Sequence, residues 1–170
     1  LGRPKDDFYP TPTWVTEAFL DRVEFSKCVW EPACGDGAIS KVLLERGHNV
    51  MSADLYDHGY GFSPLNFLEV NDVTPRDIIT NPPYNIAKEF VDHALKVGGR
   101  KVAMLLRLSF LESKARKEWF KTTPLKTVYV MSKRVTMYPS GERTAGSGTM
   151  AMAWFLWDKE YDREPTLDWI

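Results

Sequence analysis

Apolar positions along this chain recur in two rhythms. Trp14, Val15, Ala18, Phe19 and Val23 fall on one face of a helix over roughly 14–24, which Thr13 can cap. Helices are likewise predicted near 38–46, 86–97 and 112–121. The second is stopped by Gly98-Gly99, and Gly47 ends the first. Between them lie short β-branched or fully apolar runs, at 28–30, 48–53, 77–80, 101–106 and 128–131, which predict strands. Residues 101–106 are too continuously apolar for a half-exposed strand and belong at the centre of a sheet. Residues 149–157 read as a final strand of alternating type, followed by a polar tail beginning Asp158-Lys159-Glu160. Strand and helix alternate for most of the length, which predicts an α/β fold with a mostly parallel sheet and helices on both faces.

Composition narrows the class. At 170 residues the chain is expected to be a single domain, 1–170, with 44% hydrophobic and 26% charged residues. It has no apolar run long enough to span a bilayer, and its first residues lack the apolar stretch of a signal peptide. Cys28 and Cys34 are too few for a zinc site, so the expectation is a cytoplasmic protein without metal and without membrane contact. The net charge of −1 hides an asymmetry. Residues 1–95 carry a net −7, residues 96–145 a net +9, and residues 146–170 a net −3. A basic middle block is either a polyanion-binding face or a set of solvated helix surfaces.

The most informative stretch is Asp77 to Tyr84. A buried strand runs into Asn81-Pro82-Pro83-Tyr84, where two prolines enforce a stiff extended turn. The Asn81 side chain and the Pro82 carbonyl become two fixed acceptors beside an aromatic face, a set suited to a planar amino group. Upstream, the strand at 28–30 leads through Glu31-Pro32-Ala33-Cys34-Gly35-Asp36-Gly37 into a helix, the opening of a Rossmann-like unit. The glycine spacing is not that of a dinucleotide site, and two acids in the turn suit a cationic ligand rather than a phosphate. Asp54 ends the second strand, where nucleoside-binding α/β folds hold a ribose, and Leu55 beside it could cover a base.

These motifs resemble those of the S-adenosylmethionine-dependent amino-methyltransferases, best known as DNA adenine-N6 methyltransferases of a minimal bacterial or bacteriophage type. The resemblance runs from Tyr9 to about Trp157, and the motifs stand in the same order along the chain. It implies a Rossmann-like class I methyltransferase fold, a mostly parallel seven-stranded sheet with an antiparallel last strand. It implies that Tyr9, Pro10 and Thr11 touch the methionine end of the cofactor, with the 31–37 loop (Glu31, Pro32, Ala33, Cys34, Gly35, Asp36, Gly37) as the main cofactor loop. Asn66 and Phe67 would hold the adenine, although Asn66 stands where the family has Asp. Asn81, Pro82, Pro83 and Tyr84 would be the catalytic turn, and Asn81 would also touch the cofactor. Cys34, inside the cofactor loop, gives no support for a cysteine-nucleophile route.

The reaction so implied is methyl transfer to adenine N6 in DNA, with Tyr84 stacking on an everted base. Tyr138 is the candidate for the base's second face. Lys133, Arg134 and Arg143, with Lys114, Arg116 and Lys117, are candidates for phosphate contacts. The segment 132–148, rich in Gly, Ser and Thr, is expected to be a mobile substrate loop. The family usually adds a target-recognition region, for which this chain has little room. A separate specificity subunit, a homodimer or a relaxed site would each answer that. The alternatives are adenine in RNA, cytosine N4, a glutamine amide in a protein, or a degenerate fold that only binds cofactor.

Overall fold

The computed structural model describes residues 8–138 and 149–170. The chain runs α1 (Thr13–Leu20), β1 (Cys28–Glu31), α2 (Ala38–Glu45), β2 (Asn49–Ser52), β3 (Asp77–Thr80), α3 (Ala87–Val97) and β4 (Lys101–Arg107). It continues α4 (Lys114–Lys121), β5 (Leu125–Val130), β6 (Val135–Thr136), β7 (Thr149–Met150), β8 (Met152–Asp158) and β9 (Thr166–Trp169). Seven strands form one sheet in the order β2-β1-β3-β4-β8-β5-β9, while β6 and β7 pair by themselves. β8 runs antiparallel to both neighbours; the other pairs in the sheet are parallel.

Side-chain alternation along the central strands builds two cores. Ile78 packs on one face with Phe90, Val91, Phe110, Phe155 and Trp157, under α3 and the inner side of α4. Ile79, one residue on, packs on the other face with Val15, Phe19, Ile39, Leu43 and Trp154, under α1 and α2. Phe19 stacks on Trp154 with centroids 4.6 Å apart, and the Trp154 indole N–H donates to the Val15 carbonyl at 3.0 Å, which pins α1 to the sheet. At the opposite end of β3, buried Asp77 accepts backbone N–H bonds from Ser26 and Lys101, both at 2.8 Å. That strut fixes the start of β3 and hence where its far end delivers Asn81.

Several expectations need correction. α1 stops at Leu20 rather than 24, because the Arg22 N–H turns back to Phe19 and tightens the final turn. The expected single strand at 149–157 is two, broken at Ala151. β7 leaves the main sheet to pair with β6, so residues 135–136 are strand rather than loop. β8 is not alternating in burial: all seven residues are buried, because it lies between β4 and β5 with helices over both faces. The polar tail folds back to form β9 along β5, so the antiparallel strand is interior and the last strand is a parallel edge. Buried Asp158 makes this return possible. Arg100 and Lys126 converge on it, and the Arg100 guanidinium above all holds its carboxyl well below the usual range.

Candidate functional site

The sheet order reverses between β1 and β3, since the chain goes from β1 outward to β2 and then returns to β1's other side. Ligands in open α/β sheets bind at the carboxyl ends of strands at such a point. A cleft lies there, lined by Phe8, Tyr9, Pro10 and Thr11, by residues 31–36, by Ala38 and Ile39, and by Asp54, Leu55, Tyr56 and His58. Leu65, Asn66, Phe67, Asn81, Pro83, Ile86 and Phe90 complete it.

The cleft is acidic, and its acids are held from behind. Glu31 ends β1 fully buried, and its carboxylate accepts a hydrogen bond from the Ser40 hydroxyl, which also touches the Ser52 hydroxyl at 2.6 Å. Burial drives its pKa well up, partly countered by Ser40 and reinforced by Asp54 and Asp36. Asp54 accepts the Gly35 N–H at 2.8 Å and the Tyr56 N–H at 2.9 Å, so it anchors the glycine loop as well as facing the cleft. Asp36 accepts the Ala38 N–H at 3.2 Å at the start of α2. Among the described residues none of the three forms an ion pair. The Cys34 thiol, 4% exposed, is pushed up to about 12 by burial and by the same acids, so it is inert at neutral pH.

Gly35 has a φ of +52°, and a side chain there would run into the Phe8 ring at 2.3 Å. Phe8 stacks on His58 at 4.2 Å, and the two rings close the cleft over the loop.

Asn81 ties this cleft together. Its Nδ2 donates to the Tyr9 carbonyl and to the Thr11 hydroxyl, both at 3.2 Å, and fixes the amide's orientation. Its Oδ1 is buried and has no hydrogen-bond partner among the described residues. Such an orphan acceptor costs about 1–3 kcal/mol, and a native structure usually keeps one for a reason. Thr80 reaches back to the Ala33 carbonyl at 3.3 Å and locks the end of β3 to the glycine loop.

The expected residues separate into groups. Tyr9, Pro10, Thr11, Glu31, Pro32, Ala33, Cys34, Gly35, Asp36, Asp54, Leu55, Asn66, Phe67 and Asn81 all line the cleft. Gly37 does not; its φ of +82° turns the loop under the Tyr60 ring, where a side chain would come within 2.6 Å. Asn66 lines the cleft, but its Oδ1 accepts the Leu68 N–H at 3.2 Å and caps the short turn Phe67–Glu69. The amide nitrogen is therefore its more available group. Phe67 is 2% exposed and wedged among Trp30, Phe90 and His93.

Pro83 lines the cleft, Pro82 is buried, and Tyr84 lines a second cavity with Ala87, Leu106, Arg107, Ser109, Phe110 and Arg116. The turn is thus a wall with a different cavity on each side. The Tyr84 hydroxyl meets the Met137 sulfur at 3.5 Å, and its ring lies nearly parallel to Tyr9 at 6.3 Å.

The remaining substrate candidates are scattered. The Lys133 ammonium sits 5.3 Å over the Trp14 ring, on the α1 side. Arg134 is exposed and Tyr138 half-buried, and neither lines a cavity described above. Arg143, with 139–148, lies outside the described residues. Sequence reasoning missed Phe8, His58, Ile86 and Phe90 in the cleft, and Arg107, whose guanidinium lies 5.3 Å over the Tyr84 ring. Only Phe8, next to the aromatic-proline run, carried a local signal.

No family model and no curated protein matches the sequence. Solved structures match its fold. A provisionally named RNA methyltransferase of Pyrococcus horikoshii superposes with a TM-score of 0.67 at 14% identity, covering 94% of this chain and 92% of that one. The modification subunit of a provisionally named type I restriction enzyme of Vibrio vulnificus gives 0.66 at 16% identity, over 96% of this chain and 47% of that one. The magnesium protoporphyrin IX methyltransferase of Synechocystis, with bound S-adenosylmethionine, gives 0.51 at 11% identity, over 86% and 76%. The fold is the Rossmann-like one of the class I S-adenosylmethionine-dependent methyltransferases. Among the described residues, no helix is long and apolar enough to cross a membrane, and no cluster of His, Cys, Asp and Glu could hold a metal ion.

Proposed function

We propose that this chain transfers a methyl group from S-adenosylmethionine to the N6 amino group of adenine in DNA. The observation that carries the reading is the buried, unpartnered Oδ1 of Asn81 in the wall of an acidic cleft. The cleft's donor set fits the cofactor. Three carboxylates without ion pairs among the described residues suit a ligand that carries a sulfonium and an ammonium and no phosphate. Glu31 is the partner for the ammonium, Asp54 for the ribose hydroxyls through its second lone pairs, and Asn66 and Phe67 for the adenine. Bound there, the cofactor supplies an electrophilic methyl group on sulfur.

The chain's own task is positioning. An exocyclic amine is a weak nucleophile because its lone pair is delocalised into the ring. Asn81 Oδ1 and the Pro82 carbonyl accept its two hydrogens, which favours a pyramidal nitrogen with its lone pair turned to the cofactor side. The nitrogen's lone pair would form the bond to the methyl carbon as the methyl–sulfur bond breaks to leave a neutral thioether. The surplus proton would pass to water, and no covalent enzyme intermediate is needed. Preorganised acceptors and alignment supply the rate. Tyr84 stacks on the base.

Radiolabelled methyl transfer offered separately to duplex DNA, single-stranded DNA, RNA and protein tests the reading. Label in DNA, lost in Asn81→Ala, is the expected result; label in protein alone overturns it. Adenine in RNA is the second reading, favoured by the fold shared with the provisionally named RNA methyltransferase along 92% of that protein's length.

A further inference from the structure

We propose that the cavity on the far side of the catalytic turn binds a phosphodiester of the substrate strand, with Arg107 and Arg116 as its ligands. Arg107 ends β4, and Arg116 comes from the first turn of α4; elements 7 residues apart in sequence thus bring two guanidinium groups to one cavity. Neither forms an ion pair among the described residues. Among the described residues the Arg116 guanidinium spends only its Nε–H, on the Glu112 carbonyl at 2.8 Å, and it lies 4.8 Å over the Phe110 ring. The Arg107 guanidinium makes no hydrogen bond among the described residues and lies over the Tyr84 ring. Held by ring faces, both planar guanidinium groups keep N–H edges that can pair with two oxygens of a tetrahedral phosphodiester, the bidentate geometry in which arginine binds phosphate.

The loop that presents Arg116 is held under strain. Ser113 adopts a φ of +118°, rare for a residue with a side chain, and its hydroxyl accepts the Arg116 N–H at 3.1 Å. The inference rests on Tyr84 stacking on the target base. A nucleotide held at Tyr84 brings its own or its neighbour's phosphate within reach of this cavity. The basic block at 96–145 supplies the favourable field.

The test measures binding of short labelled single-stranded DNA and RNA oligonucleotides, by anisotropy across a salt series, to the parent, R107Q, R116Q and R107Q/R116Q. Methyl-transfer kinetics and thermal shift with S-adenosylmethionine run alongside. Each single change is expected to raise the oligonucleotide Kd and KM about tenfold with kcat little altered. The double change should lower the slope of log K against log salt by about 0.7. An unchanged slope and affinity in the double variant overturns the site, as does a parent that binds neither oligonucleotide. If the double variant fails to fold, R116Q on the exposed helix α4 carries the test. Oligonucleotide binding that depends on both arginines without methyl transfer by the parent supports the site and overturns the proposed activity. Tighter binding of RNA keeps the phosphodiester site and moves the substrate from DNA to RNA.

Discussion

The two sides of the Asn81–Tyr84 turn are built for opposite charges. On the β1–β3 side, Glu31, Asp36 and Asp54 line a cleft with no cation paired to them among the described residues. On the Tyr84 side, Arg107 and Arg116 line a cavity with no acid paired to them among the described residues. The supporting devices differ as well. The acids are held by hydrogen bonds from Ser40, Gly35, Tyr56 and Ala38, whereas the arginines rest on aromatic faces. A ligand cation and a ligand polyanion would each be repelled from the wrong side, because like charges set against each other across an interface cost several kcal/mol. The turn can then be touched from both sides with little cross-binding.

The turn itself is the most sensitive point. Asn81→Ala is expected to lower kcat for methyl transfer about a hundredfold to a thousandfold, the usual cost of one preorganised catalytic hydrogen bond. It should also weaken cofactor binding roughly tenfold, since the bonds from Nδ2 to Tyr9 and Thr11 that hold the lead-in segment are lost together. Single-turnover rates at saturating cofactor separate the two effects. Full residual kcat would remove Asn81 from the chemistry.

The acidic side breaks next. Glu31→Gln is expected to weaken S-adenosylmethionine binding about tenfold to a hundredfold, as for other hydrogen bonds to a charged group. The pH dependence distinguishes a charge effect from a packing effect. Burial raises the Glu31 pKa, so the stability this group lends the unliganded protein is present in full below the unfolded carboxyl pKa. It is lost as pH rises through the raised folded value. A bound ammonium prefers the ionised carboxylate, so cofactor affinity has the opposite sign and grows as pH rises through the same range. Calorimetric Kd values from acid to neutral pH should show that rise in the parent and a flat profile in Glu31→Gln. A parallel rise in both would mean that another group is responsible.

The two sides also differ in how far the sequence reveals them. The cleft comes from short runs, 31–36, 54–55, 66–67 and the Asn81–Pro83 turn, each at the carboxyl end of a strand or in the loop that follows, joined by 9–11 just ahead of α1. Their spacing alone brings them together. Arg107 carries no such signal: it follows an apolar strand, and only the crossing of β4 beside β3 sets it against Tyr84. The orphaned oxygen of Asn81 is likewise set by two long-range bonds. β9 was illegible because its residues, Thr166 to Trp169, form an exposed edge strand with one neighbour and none of the apolar continuity that marks β4 and β8. The burial of β8 on both faces follows from its place between two strands, which local alternation does not encode.

A third prediction probes the basic side. Tyr84→Ala is expected to raise the KM for DNA about tenfold, because stacking a base on an aromatic ring contributes about 1–3 kcal/mol. Tyr84→Phe should leave KM within about twofold, as the hydroxyl's contact with the Met137 sulfur is a weak one. Equal losses in both variants would assign the effect to the hydroxyl rather than the ring.

The smallest effect is the most direct check on how closed the acidic side is. Cys34 is 4% exposed with its thiol raised to about 12, and its sulfur packs where a side chain at Gly61 would come within 2.7 Å. Cys28 is exposed at the start of β1. Alkylation of the native protein at mildly alkaline pH, read by peptide mass, should therefore label Cys28 and spare Cys34, with both labelled after unfolding, since the thiolate is the reactive form. Cys34→Ala should leave methyl transfer nearly unchanged, because a buried neutral thiol contributes packing and no nucleophile. Rapid labelling of native Cys34 would show that the loop between Glu31 and Gly37 opens to solvent. The raised pKa values of Glu31 and Cys34 would then fall together, since burial is the largest cause of both.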